Sequence, residues 1–197
     1  MKLKSTTPTE LTDLELEFMK EINPNIKDMT SQGKHFFYLP LSSEARHLKY
    51  HECQQNVAFK VRKDGGMPLI GWTIWKSQVF IEAEYHVVWI SEKGKIKDIT
   101  PRKDKEKLIL FVIDPMQNDD GMIRDSKRKI LLDIPLVHRL DSVISEKVNL
   151  LRKYWVPYRS AINPPAEVLA RIDGLEIKKA QIISELNDFL TSTKREV

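Results

Sequence analysis

The feature of the sequence that most constrains its fold is a run between residues 67 and 100 that is rich in β-branched and aromatic residues. The run reads MPLIGWTIW, QVFIEAEYHVVWI and KIKDIT, with polar breaks at Lys76-Ser77 and Glu92-Lys93-Gly94. Residues of this kind favour strands, and such breaks favour turns. The run therefore predicts an antiparallel meander, and the apolar segments HFFYLPL (35–41) and KLILFVID (107–114) predict two further strands.

A helix that carries the single cysteine precedes the meander in the predicted order. Cys53, Val57 and Val61 recur every four residues, which places them on one helical face. Asp64-Gly65-Gly66 then provides a typical helix stop. We therefore place Cys53 on or just before the first turn of a helix that ends near residue 64.

The remaining patterns are helical and lie toward the two ends of the chain. Residues 9–22 have amphipathic spacing, and apolar residues keep helical spacing after Pro135 and again after Pro164-Pro165. The order predicts the α+β class, with an antiparallel sheet packed against the cysteine-bearing helix and a C-terminal helical hairpin. The expected segments are an N-terminal helical arm (1–30), an α+β core (31–134) and the helical hairpin (135–197), all parts of one globular unit.

The composition is that of an ordinary globular chain with a slight positive charge. Lys and Arg number 32 against 28 Asp and Glu, a net charge of +4. Two basic clusters, Arg102–Lys107 and Arg124–Lys129, contain acidic residues but no aromatic residues, so we interpret them as solvated faces and expect no nucleic-acid partner. One cysteine, no signal-peptide pattern and no apolar run of membrane-spanning length predict a cytoplasmic protein without a membrane partner.

Three residues stand in an order that can carry nucleophilic chemistry: Cys53 at a helix start, His86 in a strand and Asp98 in the next strand. A helix amino terminus has free N–H groups and a partial positive charge, which favour a thiolate and can hold an oxyanion. An imidazole can deprotonate the thiol, and a carboxylate can fix the tautomer of that imidazole. Candidates to hold the oxyanion or the substrate are Gln55, Asn56, Trp72 and Glu84.

The hairpin between the two strands decides whether His86 and Asp98 can cooperate. Side chains alternate between the faces of a sheet, so a two-residue turn at Lys93-Gly94 would put Asp98 on the opposite face from His86. An odd loop, such as Glu92-Lys93-Gly94, would pair residue 88 with residue 98 and leave His86 and Asp98 as diagonal neighbours. A joint role of the two residues therefore requires an odd loop or an equivalent bulge.

The segment HVVWISEKGKIKDITP (86–101) resembles the histidine-to-aspartate part of the transglutaminase-like branch of the papain-like cysteine enzymes. That pattern is a His followed closely by Trp, a short hairpin, then Asp and often Pro, and the resemblance covers about residues 50–101. It implies a papain-like fold and a thiol-dependent hydrolase or acyltransferase that needs no cofactor. It also implies that Cys53 is the nucleophile, His86 the base and Asp98 the orienting residue.

The chemistry implied by the resemblance is attack on an amide or ester carbonyl through a thioester. Peptidase, amidase, deamidase and transamidase activities all stay open, with a peptide, a protein or a small amide as substrate. Glu84 shares the face of His86 by alternation, and Trp72 could cover a substrate cleft or belong to the core.

Other functions compete with the catalytic interpretation. His47 and His51 stand four residues apart, so they could bind a metal ion together with Cys53 and His86. The chain could also be a non-catalytic interaction module whose C-terminal helices bind a partner protein. In that case Cys53 would be a small buried apolar residue and His86 a core histidine.

Overall fold

The computed structural model describes residues 3–42, 48, 53–102, 106–117, 126–154 and 164–193. Within these ranges the chain is α+β, with an antiparallel sheet and four α-helices that include a C-terminal pair, as predicted. The helices are α1 (Asp13–Ile22), α2 (Cys53–Asp64), α3 (Pro135–Tyr154) and α4 (Ala166–Ser192). The strands are β1 (Phe36–Pro40), β2 (Met67–Lys76), β3 (Phe80–Ile90), β4 (Ile96–Lys97), β5 (Leu108–Ile113) and β6 (Lys127–Ile130).

The chain forms two compact units. One comprises Thr6–Trp75 and Ala83–Gly121, and the other comprises Met1–Ser5, Lys76–Glu82 and Met122–Val197. The three predicted candidates Cys53, His86 and Asp98 all belong to the first unit. None of the helices in the described part of the chain is long and apolar enough to span a membrane.

The sheet of the first unit has the strand order β1-β5-β2-β3-β4. The predicted meander of β2, β3 and β4 is correct, but β5 lies between β1 and β2 and pairs antiparallel with both. The sequence of β5 explains its central place, because Ile109–Val112 is uninterruptedly apolar and fully buried. Leu41, directly after β1, forms a parallel bridge with Asp98, directly after β4, so the sheet curves until its two end strands meet.

Helix α2 packs on the sheet through the face predicted from its four-residue spacing. Val57 is buried in a cluster with Val87 and Ile99, and Cys53 and Val61 pack against the same cluster. The far end of the helix is fixed by a hydrogen bond of 2.9 Å from Trp89 Nε1–H to the carbonyl of Gly65. The predicted helix stop is therefore also the point at which α2 is attached to β3.

The second unit contains the C-terminal helical pair and an internal ionic network. Buried apolar side chains of the first residues of β3 and of both helices form its core, among them Phe80, Leu140 and Ile182. Strand β6, which the sequence pattern did not predict, pairs with β3. Its Arg128 differs from the predicted solvated face, because the guanidinium is buried between the carboxylates of Glu82 and Asp141, which compensate its charge.

Gly66 and Gly94 provide a matched test of how α2 is joined to the sheet. Both have a positive φ, +80° at Gly66 and +76° at Gly94, so an alanine is strained at either position. A Cβ at Gly66 would overlap the carbonyl oxygen of Ile90 and lie 2.9 Å from Trp89 Nε1, whereas a Cβ at Gly94 would meet nothing within 4 Å.

We expect Gly94→Ala to lower the free energy of unfolding by about 1 kcal/mol, the cost of the backbone conformation alone. Gly66→Ala should cost roughly 3 kcal/mol or more, because β3 or α2 must also move. Urea denaturation of both variants measures the difference, and equal losses would contradict the close approach of α2 to β3.

Candidate active site

The position of Cys53 follows from where α2 begins. Cys53 is the first residue of the helix and is partly buried. The N–H groups of a first helical turn have no acceptor within the helix, and such a turn favours negative charge. The thiol therefore lies beside the positive end of a helix of three turns, as predicted.

The hairpin between β3 and β4 has the odd loop that the prediction required. Trp89 pairs with Lys97 and Ile90 with Ile96. Ser91 N–H then donates to the carbonyl of Lys95 at 3.0 Å, which closes a three-residue loop over 92–94. Continued in the same register, residue 88 lies opposite 98 and residue 86 opposite 100, so His86 and Asp98 share one face.

His86 and Asp98 form a buried hydrogen-bonded pair. The distance between His86 Nε2 and Asp98 Oδ1 is 3.0 Å. His86 is 6% exposed and Asp98 is 0% exposed, so water does not screen the interaction. The backbone N–H of Thr100 donates to the same carboxylate oxygen at 3.0 Å, which holds the carboxylate in place.

The imidazole of His86 connects Asp98 to the thiol. The side chain of Cys53 is close enough to His86 to be among the groups that raise the pKa of the imidazole. Nε2 is the ring nitrogen engaged by Asp98, so we expect the sulfur to interact with Nδ1. The structure thus brings the three residues together in the order thiol, imidazole, carboxylate.

Burial and neighbouring charges shift the pKa values of His86 and Asp98 in opposite directions. Burial is the largest single effect and lowers the pKa of His86, but the charge and hydrogen bond of Asp98 and then those of Cys53 together raise it to about 10. Burial raises the pKa of Asp98, but the charge and hydrogen bond of His86, the N–H of Thr100 and the charge of Arg102 lower it below its usual value. At neutral pH the pair is therefore an imidazolium and a carboxylate.

The backbone around Asp98 is held as firmly as its side chain. Its carbonyl accepts a hydrogen bond of 2.8 Å from the N–H of Ser42, next to the parallel bridge with Leu41. The second carboxylate oxygen of Asp98 lies 3.9 Å from Nη1 of Arg102. The closure of the sheet thus fixes the backbone of Asp98.

The candidates for substrate or oxyanion binding lie in different environments. Gln55 is exposed, whereas Asn56 is buried. Trp72 is also buried and meets the ring of Tyr85 edge to face, with a centroid distance of 5.7 Å. Glu84 is exposed, and its carboxylate accepts a hydrogen bond of 2.9 Å from Trp75 Nε1–H.

Two largely buried polar side chains, one next to Cys53 in the sequence and one beside Asp98, were not predicted from the sequence. Gln54 follows the cysteine directly and is 7% exposed, and its Nε2 has no hydrogen-bond partner among the described residues. Arg102 belongs to a cluster that we interpreted as a solvated face, yet its side chain is 11% exposed. The polar residues around Cys53 in the sequence indicated a polar site, but nothing in that pattern distinguished Gln54 from the polar residues beside it.

The competing metal site stays a prediction. Two of its four ligands, His47 and His51, lie outside the described residues. Within the described ranges, no group of three or more His, Cys, Asp or Glu side chains is arranged to hold a metal ion.

No family model, curated protein or solved structure matches the chain. The case for a function therefore depends on the geometry of the chain's own residues.

The pKa values of the pair give a prediction for stability against pH. A raised pKa of His86 contributes stability that is complete below about pH 6.5 and is lost as the pH rises toward about 10. The lowered pKa of Asp98 contributes stability that is present above pH 3.8 and is lost as the pH falls through the lowered value.

We therefore expect His86→Gln to reduce the free energy of unfolding most between about pH 4 and 6.5, and less at pH 9, in urea denaturation. His138→Gln is the control, since His138 also pairs with an aspartate, Asp133, but both side chains are exposed. Exposed pairs are worth about 0–1 kcal/mol, so this variant should differ little from wild type. A loss at His86 that grows from pH 6.5 to pH 9 would contradict the assignment.

Proposed function

We propose that the chain is a thiol-dependent hydrolase or acyltransferase of the transglutaminase-like, papain-like type, which acts on an amide or ester bond through a thioester. The observation that carries the proposal is the buried imidazole of His86, whose Nε2 lies 3.0 Å from Asp98 Oδ1 and whose pKa is also raised by the side chain of Cys53. A buried imidazole needs a partner for each of its ring nitrogens, and we propose that the two partners here are the carboxylate of Asp98 and the thiol of Cys53.

The proposed reaction begins with attack of the Cys53 sulfur on the substrate carbonyl carbon. The sulfur attacks as an anion, and the matching positive charge resides on His86, whose Nε2–H is held by Asp98. The carbonyl π electrons move to oxygen and give a tetrahedral oxyanion. His86 then donates its Nδ1 proton to the leaving amine or alcohol, the carbon–nitrogen or carbon–oxygen bond breaks, and the acyl group remains on sulfur as a thioester.

The second half of the reaction regenerates the thiol. The neutral imidazole of His86 accepts a proton from the incoming nucleophile, which attacks the thioester carbon and displaces the sulfur. Water as the nucleophile gives hydrolysis, and an amine gives transfer. The proposed substrates are peptides, proteins and small amides. Whether the enzyme is a hydrolase or a transferase depends on which nucleophile, water or an amine, attacks the thioester.

The start of α2 is the proposed oxyanion site. The N–H groups of its first turn have no acceptor within the helix itself and are close to Cys53 in the sequence, where negative charge would develop on the substrate oxygen. Gln54 adds a buried side-chain amide whose Nε2 has no partner within the described part of the chain, and such a donor is costly to leave unpaired. We propose that the backbone N–H groups hold the oxyanion and that Gln54 contributes a further donor.

The local sequence pattern also supports the proposal. In the segment that resembles the transglutaminase-like enzymes, a three-residue loop joins β3, which carries His86, to β4, which Asp98 follows. An odd loop is the length that puts the two side chains on one face of the sheet. Trp89 stands one position later than in the commonest pattern, and here its indole attaches α2 to β3. In this chain, Trp89 therefore helps to hold the helix that carries Cys53 against the strand that carries His86.

Labelling of the single cysteine tests the proposal without knowledge of the substrate. We expect wild-type Cys53 to react with iodoacetamide at pH 6 at least about tenfold faster than Cys53 in His86→Ala or Asp98→Asn, because both variants remove part of the charge relay. The rate is read by mass spectrometry, and with one cysteine in the chain all label reports on this residue.

His138→Ala and Asp133→Asn are matched controls, since they remove the same residue types from an exposed pair. Both should label at the wild-type rate. Wild-type rates in His86→Ala and Asp98→Asn, in protein that is folded by circular dichroism, would reject the proposed function.

A further inference from the structure

Arg102 is a largely buried cation that no step of the proposed reaction uses. Its guanidinium carbon lies 4.4 Å from the ring centroid of Trp75, and Nη1 lies 3.9 Å from Oδ2 of Asp98. A cation at this distance from an aromatic ring gains attraction that increases as water is excluded. The partners of Arg102 therefore include an indole and a carboxylate of the candidate site.

The indole under Arg102 is itself held in place. Trp75 is buried, and its Nε1–H donates to Glu84 at 2.9 Å. The ring therefore provides a fixed surface on which a planar guanidinium can lie, and a planar cation loses less rotational freedom there than a lysine would. The series Glu84, Trp75, Arg102 and Asp98 leads from an exposed carboxylate to a fully buried one.

The two oxygens of Asp98 have different environments. Oδ1 accepts hydrogen bonds from His86 Nε2 and from the Thr100 N–H, each 3.0 Å long. Oδ2 is buried and has no hydrogen-bond partner among the described residues, and Arg102 is the cation that lies beside it. A carboxylate can rotate about its Cβ–Cγ bond, so a positive charge beside one oxygen restrains the carboxylate plane and with it the direction in which the other oxygen faces the histidine.

We propose that Arg102 is a positioning residue, held on Trp75, which keeps Oδ2 of Asp98 turned away from His86 and so keeps Oδ1 aligned with the imidazole. This inference rests on the proposed function, because it assigns Arg102 a role through Asp98. It also explains why one member of a cluster that looks like a solvated face is buried. By analogy with the residues that orient metal ligands from outside the coordination sphere, we expect loss of such a positioning residue to cost about tenfold.

The test is a double-mutant cycle on the rate of Cys53 alkylation at pH 6. Arg102→Gln should label roughly tenfold more slowly than wild type. In an Asp98→Asn background the same change should have no further effect if Arg102 acts on Cys53 through Asp98. Arg62→Gln is the control for loss of one positive charge, since Arg62 is exposed on α2, and it should label at the wild-type rate.

A purely structural role would give a different result. The effects of Arg102→Gln and Asp98→Asn would then add, and that outcome overturns the inference, as does a wild-type rate in Arg102→Gln. If Arg102→Gln does not fold, Arg102→Lys decides, because lysine keeps the charge but loses the planar contact with Trp75. Cys53 in Arg102→Lys should label about threefold more slowly than in wild type. A wild-type labelling rate in this variant rejects the positioning role of Arg102.

The same experiment separates this inference from the proposed function. If His86→Ala and Asp98→Asn label slowly while Arg102→Gln labels at the wild-type rate, only the role of Arg102 fails. If His86→Ala and Asp98→Asn themselves label at the wild-type rate, the proposed function fails and the inference fails with it.

Discussion

The buried pair of His86 and Asp98 is the interaction on which the account of this site depends. Removing an imidazolium and a carboxylate from water is costly, and their attraction offsets this cost only when further hydrogen bonds and charges surround them. Here the Thr100 N–H, the Cys53 thiol and Arg102 provide those contacts. These contacts compensate charges that are costly to bury, and the pair is the geometric basis of the proposed function.

The rest of the first unit can be understood as the means of holding three side chains at one point. Helix α2 spans about 18 Å over its twelve residues and is attached at its far end by Trp89, so the position of its first residue is set by a rigid element. The β3–β4 loop sets the register that gives His86 and Asp98 a common face. The meeting of the end strands at Leu41 then fixes the backbone of Asp98.

Local patterns predicted much of this arrangement. The four-residue spacing of Cys53, Val57 and Val61 predicted the helix face, and the glycine pair predicted its end. Because side chains alternate between the faces of a sheet, whether His86 and Asp98 share a face depended only on whether the β3–β4 loop has an odd or an even number of residues. The loop has three residues, an odd number. These predictions succeeded because each depends on residues close together in the chain.

The features that were not predicted depend on contacts between distant residues. The place of β5 between β1 and β2 is a choice among strand orders that no local pattern encodes. Arg102 lies on Trp75, 27 positions away, and Arg128 binds Glu82, 46 positions away, so neither burial could be seen in a run of charged residues. The burial of Gln54 Nε2 without a hydrogen-bond partner among the described residues likewise depends on what surrounds the first turn of α2.

The most direct measurement of the central claim is the protonation of His86, followed by nitrogen-15 NMR of protein labelled in histidine. The account predicts that both ring nitrogens of His86 are protonated at pH 8, since its pKa is raised to about 10. It also predicts that Asp98→Asn and Cys53→Ala each lower the pH at which His86 titrates. A neutral His86 at pH 8 in the wild-type protein, or a titration that neither variant changes, would contradict the claim that the three residues act as a unit.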